Sequence, residues 1–204
     1  VGFGGEYGNL RLRSTNIRGT NGASISFGTN TSVSCTGDIR TLINYESYKN
    51  CYTGDASFES LFEGCRQLKL APELPLTTLD YRCYYSMFSG CSGLTEAPVL
   101  PATTLAESCY SNMFRGCTSL TEAPVLPATT LAPYCYHEMF YNCTSLTTAP
   151  SVLPATTLAS SCYMYMFRNC SSLTTAPELP ATTLARYCYY TMFSRCTNLN
   201  YIKC

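Results

Sequence analysis

The chain has 204 residues, 46% of them apolar, and its 13 Lys and Arg residues balance its 13 Asp and Glu residues. This length and apolar content suffice for one domain or one continuous repeat array with a buried core. The zero net charge makes nucleic acid an unexpected partner. No apolar run approaches the roughly 18 to 20 residues that span a bilayer, so we expect no membrane insertion.

Residues 1–56 do not share the repeat that follows them. The start, VGFGGEYGNL, has neither an initiating Met nor a basic-then-apolar leader, which suggests a processed product or a fragment. The segments GNLRLRST, ASISF, TSVSC and IRTLINYE are predicted strands, because apolar and polar residues alternate between Gly, Asn and Thr. We therefore assign residues 1–56 as a small β-rich N-terminal cap over an exposed repeat core.

Residues 57–204 form a repeat array, and the pattern leaves open a truncated C-terminus. Cysteines mark the period of 26 residues, with one interval of 27 near Ser151. The first cysteines of successive units are Cys83, Cys109, Cys135, Cys162 and Cys188; the second are Cys65, Cys91, Cys117, Cys143, Cys170 and Cys196. About six units follow one another, which is typical of a solenoid.

Each unit contains an apolar stripe with helical spacing. Leu105, Cys109 and Met113 lie at i, i+4 and i+8, which predicts a helix with one buried face. We expect the helix to end where left-handed backbone is tolerated, one residue before the second cysteine. Those positions are Gly64, Gly90, Gly116, Asn142, Asn169 and, as the exception in type, Arg195.

A short strand is predicted after each second cysteine. In CTSLTEAPVLP, Leu120, Ala123 and Leu126 are candidates to face inward, and Pro124 ends the strand because proline lacks an amide donor. The predicted fold class is an α/β solenoid of short parallel strands and helices, with the β cap at its N-terminus.

The frame MFxGCTSLTxAPxLP, followed by TTL, resembles the BspA-like leucine-rich repeats of bacterial surface proteins across about residues 57 to 200. Members are mostly secreted or cell-surface adhesion proteins, and similar arrays occur in phage of gut bacteria. The resemblance therefore implies a leucine-rich-repeat solenoid located outside the cell, on the cell surface or on a virion.

The recurring cysteines admit two interpretations. The first is a reduced ladder of buried thiols that fill equivalent core positions. The second is a set of disulfide bridges between units, which would join Cys65 with Cys83, Cys91 with Cys109, Cys117 with Cys135, Cys143 with Cys162 and Cys170 with Cys188. Both interpretations stay open, because sequence alone does not settle connectivity. A zinc site is disfavoured, because the chain has no Cys-x-x-Cys knuckle and a single histidine.

No arrangement of residues predicts an enzyme, a cofactor or a metal. His137 lies two residues from Cys135, and residues at i and i+2 of a helix point apart. A Cys-His nucleophile needs the two side chains to face each other. Phosphate loops, nucleophile elbows and calcium loops are also missing from the sequence.

The variable positions of the repeat predict a ligand surface. They hold mainly Tyr, Ser, Arg, Asn and His, a composition typical of binding surfaces. The candidates are Tyr81, Tyr85, Arg115, Tyr134, His137, Tyr141, Tyr165, Arg168, Tyr187 and Tyr190. We expect a non-enzymatic adhesion module that binds a protein or glycan on a cell surface.

Two alternatives remain. Tyr at these positions could merely cover the core, while the more uniform Thr-rich strand face could suit a repetitive glycan or another copy of the chain. The array could also be a spacer in a fibre, filament or phage appendage that assembles with copies of itself.

Overall fold

The chain winds as a stack of coils, each 26 or 27 residues long. The computed structural model describes residues 19–20, 22–28, 31–50 and 53–202. Parallel bridges join residues one coil apart, such as Thr130 with Thr157 and Thr157 with Thr183. The predicted solenoid is therefore confirmed in its general architecture.

The segment predicted as a helix is instead a spiral of four-residue turns, and the described residues contain no α-helix. Every fourth residue has a positive φ, as at Arg82, Ser86 and Gly90, with angles of 53°, 51° and 73°. An α-helix has 3.6 residues per turn and right-handed backbone throughout, so the helix prediction is wrong. We call these segments turn spirals; they are residues 56–65, 82–91, 108–117, 134–143, 161–170 and 187–196.

Backbone hydrogen bonds explain why the turn spiral forms in a stack. Alternate amides donate to the carbonyl three residues earlier, as Cys83 donates to Asp80 at 3.2 Å. The amides between them donate to the next coil, as Phe88 donates to Met113 at 2.9 Å. Each coil thus supplies acceptors for buried amides of its neighbour, which satisfies the backbone as completely as a helix would.

The core consists of columns in which the same side chain recurs in nearly every coil. Apolar residues fill two adjacent positions in every four of a turn spiral, and Leu94, Leu120 and Leu146 of the crossing segments are fully buried beside them. Two columns of stacked rings run through the coils, with centroids 5.4 to 5.9 Å apart. They are Phe58, Tyr84, Tyr110, Tyr136, Tyr163 and Tyr189, and Phe62, Phe88, Phe114, Phe140, Phe167 and Phe193.

The crossing segments between turn spirals pair in parallel, as predicted, but hardly form strands. Strand β1 (Val33–Ser34) pairs with strand β2 (Leu68–Leu70). Later crossings are joined by single parallel bridges, such as Thr148 with Thr175. The proline of each unit, Pro124 in the third, cannot donate to a ladder and keeps the pairing this short.

Residues 19–20 and 22–28 cover the first turn spiral. The amide of Thr20 donates to the carbonyl of Ser57 at 2.8 Å, and that of Ile25 to the carbonyl of Leu61 at 2.6 Å. In the second coil the equivalent carbonyls, those of Cys83 and Met87, accept from amides of the preceding coil. The segment with Thr20 and Ile25 therefore occupies the position of a coil before the first one.

The cap has less β-structure than predicted. Among the described residues before 57, only Val33–Ser34 is a strand, and IRTLINYE begins with a 3₁₀ helix, Ile39–Leu42. The Asp38 side chain accepts from the Arg40 amide at 2.9 Å and so caps that helix, which explains the difference. A second 3₁₀ helix spans Tyr48–Asn50. The strand predicted in GNLRLRST lies outside the described residues.

Across the described ranges, no helix has both the length and the apolar character needed to cross a bilayer.

Candidate ligand-binding face

The outward side chains of the turn spirals form one face. Because the spirals are held in register by hydrogen bonds between coils, equivalent outward positions lie one above another. The predicted surface residues all lie within the spirals or directly before one. Tyr81, Tyr134, Tyr187 and Tyr190 are 40% to 49% exposed. Arg115 is exposed, while Tyr85, His137, Tyr141, Tyr165 and Arg168 are half-buried.

Arginine and tyrosine alternate in one column of this face. Arg115, Tyr141 and Arg168 occupy the same repeat position in three consecutive coils, and we call them the Arg–Tyr column. The guanidinium carbons lie 5.1 Å (Arg115) and 5.8 Å (Arg168) from the Tyr141 ring centroid. Arg168 also lies 5.2 Å from the Tyr165 ring. Cation–π attraction therefore holds these planar cations against the rings at the surface.

The two arginines of the Arg–Tyr column differ in charge compensation. Arg115 Nε lies 3.3 Å from a carboxylate oxygen of Glu138. For Arg168, no carboxylate of the described residues lies within 4.0 Å, and its buried Nε has no hydrogen-bond partner there. Arg168 is thus a cation that aromatic rings hold in place and that no carboxylate of the described residues neutralises.

Aromatic side chains connect three coils beside this column. The His137 and Tyr165 rings meet edge to face at 6.0 Å, and Tyr165 meets Tyr190 in the same way at 5.5 Å. Tyr134 packs on His137 at 5.7 Å, and Tyr187 on Tyr190 at 5.6 Å. We call these five side chains the aromatic network; it unites half of the predicted surface residues.

His137 is less exposed than the sequence suggests, with 20% of its side-chain surface accessible. Burial lowers its pKa, an effect that nearby Glu138 opposes and nearby Arg115 reinforces. Ser111 Oγ lies 3.4 Å from its Nδ1. A largely neutral imidazole near pH 7 leaves Arg115 and Glu138 as the charged side chains beside it.

Tyr81 and Tyr85 lie two coils from the aromatic network. Arg82 stacks 3.9 Å above the Tyr85 ring and forms an ion pair with Glu59 at 2.6 Å, so the charge of this arginine is compensated. Arg82, Glu138 and Arg186 belong to the face although they are not among the sequence candidates. Their location in variable repeat positions is the signal that marks them.

The cysteines lie on the inner side of the coils. All twelve described cysteines are free thiols, and all of them except Cys35 form two columns within the core. In the second column each thiol from Cys91 onward donates to a phenylalanine carbonyl one coil earlier, as Cys117 Sγ donates to Phe88 O at 3.1 Å, whereas Cys65 donates to Ile25 O. Electrostatic neighbours of Cys135 are Cys109 and Cys162 of its own column. The bridges between the two columns are not formed in this arrangement.

Burial suppresses thiol chemistry. It raises the pKa of Cys91, Cys109 and Cys162 to about 12, and that of Cys117 and Cys143 also rises well above its usual value. The thiolate is the nucleophile and metal ligand, so these thiols are inert near pH 7. Within the described residues, no group of three or more His, Cys, Asp and Glu side chains is placed to hold a metal ion.

Known proteins offer few comparisons. No family model matches the chain, and no curated protein matches it. One solved structure to which the chain is similar is a leucine-rich repeat protein from Bacteroides ovatus, at 22% sequence identity and a TM-score of 0.49. The match covers 74% of this chain and 37% of that protein, so the chain spans little more than a third of its length. Likeness of this degree carries no argument about function.

Proposed function

We propose that the chain is a non-enzymatic, extracellular binding or adhesion module that presents the outward face of its turn spirals to a protein or glycan. The supporting observation is the contrast between the two sides of each spiral. Inward positions repeat Cys, Tyr, Met and Phe from coil to coil, whereas outward positions vary. These varied side chains nevertheless touch across coils, as His137 touches Tyr165.

The chemistry of the face suits recognition. Tyrosine offers a large amphipathic contact area with few rotatable bonds, and arginine adds planar, directional hydrogen-bond donors. Contacts such as that of Tyr165 with Tyr190 hold the rings in place before a ligand arrives, which lowers the entropy lost on binding. The resemblance of the repeat frame to BspA-like arrays supports a location on a cell surface.

The test is a binding screen of the purified chain on glycan arrays, protein arrays and intact cells. In a double variant, Tyr187→Ser with Tyr190→Ser, we expect affinity for any captured ligand to fall at least about tenfold, because rigid aromatic anchors dominate such interfaces. The matched control is Val99→Ser with Val125→Ser, which removes exposed apolar side chains from the crossing segments. Equal losses in the two variants would contradict the proposal.

A second candidate function is a spacer in an assembled fibre or appendage, which the stack supports because each coil donates amide hydrogen bonds to the next, as Phe88 does to Met113. Light scattering over a hundredfold range of concentration tests this role, since mass that grows with concentration indicates assembly.

A further inference from the structure

Positive charge accumulates on the face toward the end of the described chain. Between residues 139 and 202 there are three arginines, Arg168, Arg186 and Arg195, and one carboxylate, Glu178. The arginines lie in or directly before the turn spirals, whereas Glu178 lies in a crossing segment and bridges Val152. This part of the face therefore attracts anions, although the whole chain is neutral.

The spacing of the cations restricts the shape of the ligand. Successive coils are separated by about one ring stack, 5.4 Å between Phe140 and Phe167 and 5.6 Å between Phe114 and Phe140. Arg115 and Arg168 are two coils apart in the same column, with Tyr141 between them. A ligand that extends along the stack thus meets cation, aromatic ring and cation in that order.

A linear polysaccharide fits this spacing better than an extended peptide. A β-linked pyranose unit is about as long as one coil spacing, so alternate sugars fall near Arg115 and Arg168. In an extended peptide, side chains on one face recur about every 6.8 Å and lose register with the coils. Tyrosine rings also pack against the C–H faces of sugars, and a guanidinium binds a carboxylate through two parallel hydrogen bonds.

We propose that the face binds a linear anionic polysaccharide with a carboxylate on every second sugar. Arg168 and Arg115 bind the carboxylates of two acidic sugars, and the uncharged sugar between them lies beside Tyr141. Arg168 is the stronger contact, because Arg115 shares its charge with Glu138. This inference rests on the proposed function and specifies its ligand class.

The experiment is calorimetric titration of the whole chain with hyaluronan oligosaccharides of ten sugars, whose acidic sugars alternate with neutral ones. We expect binding that weakens as salt is added, because the charges lie at the surface. Chitin oligosaccharides of similar length lack the charge, and polyglutamate supplies it on a peptide. Both should bind at least about tenfold more weakly than hyaluronan, since chitin lacks the carboxylates and polyglutamate lacks the sugar rings.

Variants locate the contact. Arg168→Gln should weaken hyaluronan binding about tenfold or more, Arg115→Gln less, and Arg168→Lys should restore part of the loss. Arg66→Gln with Lys69→Gln is the control, because it removes two positive charges from the first coil, outside the column. Thermal unfolding of each variant verifies that it is folded.

The outcomes separate the two proposals. Binding of polyglutamate or chitin as tight as that of hyaluronan, or equal losses in the column and control variants, overturns the inference. If hyaluronan does not bind while another ligand binds and is lost in the Tyr187→Ser and Tyr190→Ser variant, the inference is wrong and the proposed function stands. If the screen yields no ligand at all, both proposals fail.

Discussion

The amide of Phe114 donates to the carbonyl oxygen of Met139, 25 residues ahead, at 2.9 Å. This bond lies in the middle of a segment whose apolar spacing matches a helix. In a helix the same amide would bond four residues back. The array thus exchanges every second local hydrogen bond for a bond between coils, and stability becomes a property of the stack.

Hydrogen exchange should distinguish amides that donate to the next coil from amides of the last turn spiral that have no acceptor among the described residues. We expect the amides of Tyr110 and Phe114, which donate to the following coil, to exchange slowly. In the last turn spiral, the amides of Thr191 and Phe193 have no acceptor among the described residues and should exchange fast. Amide-resolved NMR or mass spectrometry measures both. Equal protection at Phe114 and Phe193, or a far-UV circular dichroism spectrum dominated by helix, would contradict the arrangement.

Replacing a buried tyrosine by phenylalanine should stabilise the core. The hydroxyl of Tyr110 is buried without a hydrogen-bond partner among the described residues, and burial raises its pKa well above the usual value. Tyr110→Phe removes that orphaned group and should raise the free energy of unfolding by about 1 kcal/mol. Phe58 already occupies this column in the first coil, so the ring itself fits.

Tyr163→Phe is the matched control in the same column, since the Tyr163 hydroxyl is not one of the orphaned groups. Urea denaturation measures both changes. A clear loss of stability in Tyr110→Phe would mean that its hydroxyl has a partner in solution.

A glycine should be favourable at the left-handed position of the fourth coil. Asn142 has a φ of 62°, and the corresponding residues of the first three coils are glycines with φ between 72° and 74°. Asn142→Gly should be neutral or stabilising, whereas Asn142→Val should destabilise by about 1 to 2 kcal/mol, because a β-branched residue resists this backbone. Thr144→Gly, at a position without positive φ, should be destabilising. Thermal unfolding would refute the assignment if Asn142→Val were as stable as the parent chain.

Stability should fall above about pH 9. Burial raises the pKa of Cys109 in the folded chain to about 12 from a usual value of 9.0. Between these values the unfolded chain binds fewer protons than the folded chain, so the stabilisation present below pH 9 is lost as pH rises. Several buried thiols act in the same direction.

Denaturation with urea at pH 7.5 and pH 10, under reducing conditions, measures the effect. Cys109→Ala should lose less stability between the two pH values than the parent, by about 1 kcal/mol for one thiol. An identical pH dependence in the two proteins would show that Cys109 ionises normally in the fold.

Much of the repeat could be predicted from sequence. The two-cysteine period located the coils, and the small residues before the second cysteine marked left-handed backbone. All six positions have positive φ, including Arg195 at 64°. Pro124 and its equivalents correctly indicated that parallel pairing would be short.

The site could be predicted only in part. Variation among units identified the outward positions, because side chains there are free of the core. The stacking of Arg168 on Tyr141 could not be predicted, since it depends on the register between coils 27 residues apart. The same limit applies to the Arg82 pair with Glu59.

The amino-acid sequence by itself determined the period, the inward columns and the residues available on the outer face, because these follow from composition repeated at fixed spacing. Only the tertiary structure decided between helix and turn spiral. A stripe at i, i+4 and i+8 is compatible with 3.6 or 4.0 residues per turn over so short a segment. The choice depends on where alternate amides find acceptors, and those acceptors belong to the next coil.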